Sequence, residues 1–436
     1  MKKFKRFTLL LLAIIMTLPM ATGCGIPSDK PTLAVDKEMF IGAYCAPFPS
    51  DKSYREAAEC EITHIFVGGG DYYKTFRYDD PGFYDDPLYF AEKYGINVLF
   101  HVQDTSYSVM SKNEDFIKSH PSFKGFLVWD EPEPRDFDYL AKDYQKFVVD
   151  YPDTPYFVNL LPLYAEGIQL EKNSYKSYLK EYSDKVFSKF DDRHKNLMCD
   201  VYPLMSGELY SKWLYNLELL KATADAQNGD LYLYLQSQGF LGTWRQPTSR
   251  ADLTLQLYVY MAYGVEGLAH YPYRTPQSSG TANPGVIDTN DEPTYMYEFA
   301  KYMNKLAHKL DDAYFNFDWK GVISCIGSQN FDNYNANFDN AENMIEKYGV
   351  LKEVNSTKDA IVGCFENEDG YQAFMAVNFT DPLAQERNTI TLTFKKSCKK
   401  AIVYLEGEPK EMDIEDGQLK LTLKTGEGAF VIPYGG

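Results

Sequence analysis

Positive charge is scarce in this chain: 44 Lys and Arg stand against 62 Asp and Glu, a formal charge of −18. A surface that acidic repels nucleic acid and anionic lipid headgroups, and it suits neutral or cationic ligands or simple solubility. Histidine is rare, at six residues, and the seven cysteines form no CxxC and no zinc-ligand spacing with histidine, so no metal site is expected. No GxGxxG follows a strand-like run and there is no P-loop, so no cofactor is expected either. Beyond residue 23 no window approaches about 18 uninterrupted apolar residues, which argues against a membrane span there.

The N-terminus is different in texture. MKKFKR is basic, FTLLLLAIIMTLPM is apolar but short for a span, and ATGC places small residues before Cys24. The stretch resembles a bacterial lipoprotein signal, which implies cleavage after Gly23, a lipid on Cys24, and an envelope location outside the cytoplasm. A secretory peptide with an incidental cysteine is the alternative. Loss of residues 1–23 removes Lys2, Lys3, Lys5 and Arg6 and takes the charge from −18 to −22. The polar, proline-bearing residues 24–38 then read as a linker. In such a compartment a disulfide, for instance Cys325 with Cys364, is open.

From Met39 short apolar runs alternate with helical patterns. The runs are 39–45, 62–68, 97–103, 125–130, 155–161, 197–203, 231–236 and 267–273, and several of the helices between them stop at glycine, as at Gly95 and Gly264. Eight nearly continuous apolar strands, each followed by a helix, describe a parallel sheet covered on its outer face. The spacing predicts a (β/α)8 TIM barrel over residues 39–313, with a doubly wound open sheet as the alternative. Residues 314–436 change to short Val-, Ile-, Thr- and Phe-rich segments between Gly, Asp and Asn turns, and QLKLTLK alternates cleanly. That predicts a C-terminal all-β sandwich, either a carbohydrate-binding unit or a stabilising appendage.

A barrel of this kind carries its site at the C-terminal ends of its strands. Those positions hold Tyr44 after the first run, Gln103 and Asp104 after the third, and Asp130, Glu131 and Glu133 after the fourth. Asn159 follows the fifth, Asp200 and Tyr202 the sixth, Gln236 and Gln238 the seventh, with Trp244 and Arg245 beyond, and His270, Tyr271, Tyr273 and Arg274 the eighth. Carboxylates, amides and aromatic faces suit a polyhydroxylated substrate, and 36 tyrosines fit the same reading. Tyr44, Gln103, Asn159, Tyr202, Gln236, Trp244, Tyr271 and Tyr273 are the candidate substrate contacts; Gln103, Asn159 and Gln238 could equally satisfy loop backbone, and Tyr44 and Tyr271 could equally be core. Adjacent carboxylates at the end of an apolar strand repel unless held or used, which makes Asp130 and Glu131 the candidate chemical centre. Glu133, beyond Pro132, reads as a cap for the helix near Arg135.

FLVWDEP, DVYP and QLYVYMAYGVEGLAHYPY, with the barrel-plus-sandwich layout, resemble the barrel glycoside hydrolases. The resemblance implies a glutamate acid/base after strand four, matched by Glu131, and a glutamate nucleophile after strand seven, where this chain has Gln236. An amide cannot form the covalent ester of the two-glutamate mechanism. Three schemes follow. In the first, as in hexosaminidases with an Asp-Glu pair, the 2-acetamido oxygen of the sugar attacks, Asp130 orients the amide, Glu131 protonates the leaving oxygen, and Tyr202 or Tyr273 steadies the charge. Successive strand residues face opposite ways, so this needs the strand to curl at Pro132. In the second, Asp200 is the catalytic partner of Glu131. In the third, the chain binds glycans without cleaving them.

Overall fold

The computed structural model describes residues 26–68, 82–102, 114–171, 174–240, 242–277, 283–330 and 335–435. Eight parallel strands, numbered in chain order, are β1 (Phe40–Ala43), β2 (His64–Val67), β3 (Asn97–His101), β4 (Phe123–Asp130), β5 (Tyr156–Leu160), β6 (Asn196–Cys199), β7 (Asp230–Gln236) and β8 (Gly267–Tyr271). β8 pairs back onto β1, from Phe40 with Gly267 to Ala43 with His270, so the sheet closes and the open-sheet alternative falls away. Between and after the strands lie α1 (Asp51–Glu59), α2 (Gly82–Tyr94), α3 (Glu114–Ser119), α4 (Phe137–Asp150), α5 (Tyr175–Lys185), α6 (Trp213–Asp225), α7 (Arg250–Ala262) and α8 (Tyr295–His308).

Strand alternation builds two separate cores. Phe66, Leu99, Leu127, Phe157, Met198 and Tyr234 point into the barrel, while their neighbours Ile65, Val98, Phe126, Val158, Leu197 and Leu233 face the helices. Both faces are therefore apolar, which is why the strands read as continuous runs.

The C-terminal region is a sandwich. A six-stranded sheet, in the order β15 (Glu408–Asp413), β14 (Lys400–Leu405), β17 (Gly428–Tyr434), β12 (Gln372–Asn378), β11 (Ala360–Glu366) and β9 (Asp318–Cys325), faces a three-stranded one of β10 (Leu351–Ser356), β13 (Asn388–Phe394) and β16 (Gln418–Leu423). On β16 only Leu419, Leu421 and Leu423 are buried, the single wet face that QLKLTLK implies. The larger sheet is apolar on both sides: Val362, Phe374 and Val431 face the small sheet, and Ile361, Met375 and Phe430 face the barrel. It packs on α7, which is buried all round because the barrel covers one side and the sandwich the other. Contact is close enough that a Cβ on Gly363 would meet Ala262 O at 2.4 Å.

The linker reading meets a docked segment here, and one open possibility closes. Residues 26–38 are not a free linker, since Ile26 is buried in the sandwich core, Gly435 N–H donates to Pro27 O at 3.2 Å, and the Tyr371 hydroxyl donates to Asp29 O at 3.0 Å. The Cys325–Cys364 bridge does not form, and both thiols are free. Cys325 lies opposite Ala360 and Cys364 opposite Gly321, so the two are offset by four residues, about 13 Å along the strands and beyond disulfide reach.

Candidate active site

Asp130 and Glu131 both reach one cleft at the C-terminal mouth of the barrel, and the backbone explains how. β4 carries a bulge against β5: Leu127 pairs with Phe157 and Trp129 with Val158, leaving Val128 without a partner. The extra residue lets Val128 and Trp129 both pack outward and turns Asp130 inward. Glu131 then adopts φ +53°, a left-handed conformation costing about 1–2 kcal/mol for a residue with a Cβ. Its N–H still donates to Asn159 O at 2.8 Å. The chain curls at Glu131 itself, one residue before the expected Pro132.

The carboxyl groups are linked from strand to strand. The Tyr44 hydroxyl donates to Asp130 Oδ2 at 2.9 Å, and Asn159 Nδ2 donates to Asp130 Oδ1 at 2.8 Å and to Asp200 Oδ1 at 3.3 Å. Asp200 lines the same cleft as Glu131 and Asp130, and their charges act on it. Glu131 opens to the cleft mouth, yet protein crowds its carboxyl. Burial first, and the Asp130 charge second, push it up to about 7, against the opposing hydrogen bond from Asp200. Asp200, buried and facing both other carboxylates, is held well above the ordinary range, with Asn159 opposing.

The cleft above these groups encloses about 610 Å³, within the range of small-molecule sites. Tyr44, Tyr164, Tyr202, Tyr234, Phe240, Trp244 and Tyr271 form its aromatic walls. Tyr202 stacks on Tyr271 with centroids 5.5 Å apart, and Trp244 Nε1 donates to Tyr202 O at 3.2 Å. At the floor, Asn159 Oδ1 and the Tyr234 hydroxyl are buried without a hydrogen-bond partner among the described residues, as are both ring nitrogens of His101, which lies behind Tyr44 with centroids 5.8 Å apart. Such atoms cost about 1–3 kcal/mol each unless something completes them, so the floor is set up to receive polar groups.

Eight of the candidate residues with described side chains, Tyr44, Asp130, Glu131, Asn159, Asp200, Tyr202, Trp244 and Tyr271, line this cleft together with Gln238. Gln236 does not. It is fully buried under the loop, accepting from Leu204 N–H at 2.7 Å and donating to Leu204 O and Arg245 O, both at 3.0 Å. Tyr273 also lies elsewhere, buried in the outer core near Cys60 and Tyr297, so it cannot steady charge in the cleft. His270 faces α8, bridging Ser237 and Asn304 at 2.8 and 2.9 Å, and burial lowers it to about 4. Arg274 pairs with Asp291 at 2.7 Å. Glu133 pairs with Arg135 at 2.7 Å at the start of the α4 region. Gln103, Asp104 and Cys24 lie outside the described residues. His101, Tyr164, Tyr234 and Phe240 were missed. His101 and Tyr234 sit inside apolar strand runs, where inward parity from Leu99 and Tyr232 was the available signal.

A scan against protein-family models finds no match, and no curated protein matches the sequence. Solved structures similar to the chain include a β-L-arabinopyranosidase from Geobacillus stearothermophilus, at 9% identity and TM-score 0.49, covering 92% of this chain and 97% of that one. A glucosidase from Croceicoccus marinus aligns at 9% identity and TM-score 0.43 over 94% and 98% of the two chains. An endo-α-mannosidase from Bacteroides thetaiotaomicron aligns at 14% identity and TM-score 0.40 over 59% of this chain and 79% of its own. At these values the likeness says nothing of substrate or residue roles.

Proposed function

We propose that this chain is a glycoside hydrolase with Glu131 as its proton donor. The observation that carries this is the convergence of Asp130, Glu131 and Asp200 in one aromatic-walled cleft at the mouth of the barrel, with the Glu131 carboxyl raised to about 7. A carboxyl poised there keeps a large protonated fraction at neutral pH and can deliver its proton to a leaving oxygen. Asp130, fixed by Tyr44 and Asn159, is the oriented acceptor.

This division of roles favours a 2-acetamido-hexoside as substrate. Asp130 accepts the acetamido N–H, and the acetamido oxygen attacks the anomeric carbon as Glu131 protonates the departing oxygen. Water then opens the cyclic intermediate, giving its proton back to Glu131. Tyr202 or Tyr271 steadies the charge, and no carboxylate is required on β7. A second reading pairs Glu131 directly with Asp200 across the sugar, supported by the openness of Glu131 to the cleft, which lets its side chain swing away.

The test is hydrolysis of matched aryl glycosides with and without the 2-acetamido group by residues 25–436, with Glu131→Gln as control. Cleavage confined to acetamido sugars supports the first reading. Efficient cleavage of plain sugars moves the assignment to Asp200. Glycan affinity with no turnover on any glycan would sink the hydrolase and leave a binding protein.

We further propose that the chain is held at the bacterial envelope by a lipid on Cys24, supported by the basic, apolar and small-residue succession before it. Cys24→Ala should move the protein from the membrane to the soluble fraction; unchanged partitioning would refute the anchor.

A further inference from the structure

One wall of the cleft is not made by a barrel strand. Beyond β7, residues 238–240 run against residues 242–246, with Phe240 N–H donating to Trp244 O at 3.0 Å and Trp244 N–H to Phe240 O at 3.2 Å. Both rings reach the cleft, Phe240 against Tyr202 at 5.2 Å and Trp244 against Tyr164 at 5.4 Å. The two arms lie close: a Cβ on Gly239 would stand 2.8 Å from Trp244 O and 2.5 Å from Gln246 N.

At the base of the two arms lies Arg245. Its backbone is held inside the barrel, N–H to Leu204 O at 2.9 Å and O from Gln236 Nε2 at 3.0 Å. Its guanidinium turns away from the cleft and spans two domains. Nη1 donates to Asp252 Oδ1 of α7 at 2.7 Å, and Nη2 donates to Asp381 Oδ1 at 3.0 Å. Asp381 belongs to the sandwich, in the turn after β12, where the same oxygen accepts from Leu383 N–H at 2.9 Å.

We infer that Asp381 is a positioning residue for the cleft, acting through Arg245 to seat Trp244, so that the sandwich domain completes a wall of the site. A guanidinium bonded at one nitrogen can rotate about that bond; bonded at two, its plane is fixed. Arg245 Nε has no partner among the described residues, so Asp381 supplies the second point. Asp252 cannot take over, because its other oxygen is committed to Thr248 N–H and Ser249 N–H at 2.9 and 3.0 Å. Domain docking does not depend on this pair. It is made by α7 against β11 and β12 and by Trp319 Nε1 donating to Ala262 O at 2.9 Å.

The test is Asp381→Ser in the full chain, which keeps a capping acceptor for Leu383 but is too short to reach Arg245. Hydrogen exchange of the free protein should quicken about tenfold at residues 240–246 while the sandwich strands stay protected. With a glycoside substrate, a readout that rests on the hydrolase reading, KM should rise about tenfold with kcat within about twofold. Asp381→Asn should restore most of both, and Asp381→Ser should add nothing in a Trp244→Ala background. Unchanged exchange at 240–246, exchange rising uniformly across the molecule, or full additivity with Trp244→Ala would overturn the inference. Because exchange needs no ligand, a wild type that hydrolyses nothing would sink the hydrolase while the exchange result still decides the role of Asp381.

Discussion

Replacing Asp130 with Asn should move the pH at which activity is lost, with little change to the frame of the cleft. Asp130 accepts from the Tyr44 hydroxyl at 2.9 Å and from Asn159 Nδ2 at 2.8 Å. An asparagine can turn its oxygen to Asn159 and its amide to Tyr44, whose hydroxyl then accepts instead of donating. What goes is the charge, the second cause after burial of the shift of Glu131 from 4.5 to about 7. Neighbouring unit charges interact by roughly 1 kcal/mol in water and 4 kcal/mol near a protein surface. Glu131 opens to solvent, so screening favours the low end. Since about 1.4 kcal/mol equals one pH unit, the titration point should fall by about one unit, to near 6. Glu131 is a raised carboxyl, so its acid form, and any stability linked to it, is full below 4.5 and lost as pH rises through about 7. The assay is kcat/KM against pH for one aryl glycoside with wild type and variant. A basic limb that stays at the wild-type pH in Asp130→Asn would refute the charge coupling, and a wild type with no limb near 7 would remove Glu131 as the acid.

Other outcomes are equally specific. Gln236→Glu, which installs the glutamate common after strand seven, should destabilise the fold by about 3–5 kcal/mol in denaturant titration, because a carboxylate cannot donate to the Leu204 and Arg245 carbonyls; a variant as stable as wild type would contradict this. His101→Phe should raise stability by about 1 kcal/mol, by relieving two buried unpaired nitrogens, while weakening substrate binding. A loss of stability instead would mean that the ring is already satisfied. Tyr44→Phe should lower kcat by roughly tenfold with a smaller effect on KM, since it removes a charge-assisted bond that orients Asp130; an unchanged kcat would free Tyr44 of that role.

The barrel was legible because its signal is long. Each strand is apolar on both faces, and β1 to β8 fall within a few residues of the expected runs. The carboxylates were legible for the opposite reason, since Asp130, Glu131 and Asp200 break apolar runs. What composition cannot carry is the use of a polar group once buried. Gln236 and Asn159 are both amides at strand ends, yet one ties two loops together and the other bridges two carboxyls. Tyr273 and Tyr271 differ by two positions and lie in different cores, because the chain has left the strand by Pro272 and parity no longer applies. The bulge at Val128 was invisible for the same reason: one surplus residue in a pairing register leaves no mark on hydrophobicity.

The seat of Ile26 has a consequence for reach. A free leash of fourteen residues would let the folded body wander about 20 Å from its attachment point. With Ile26 clasped in the sandwich core, the two residues back to Cys24 extend at most about 7 Å. A lipid on Cys24 would thus leave almost no slack, and the molecule would sit at a fixed height with one side down. Its cleft would then sample a thin shell above the bilayer, and long glycans would have to be presented to it there.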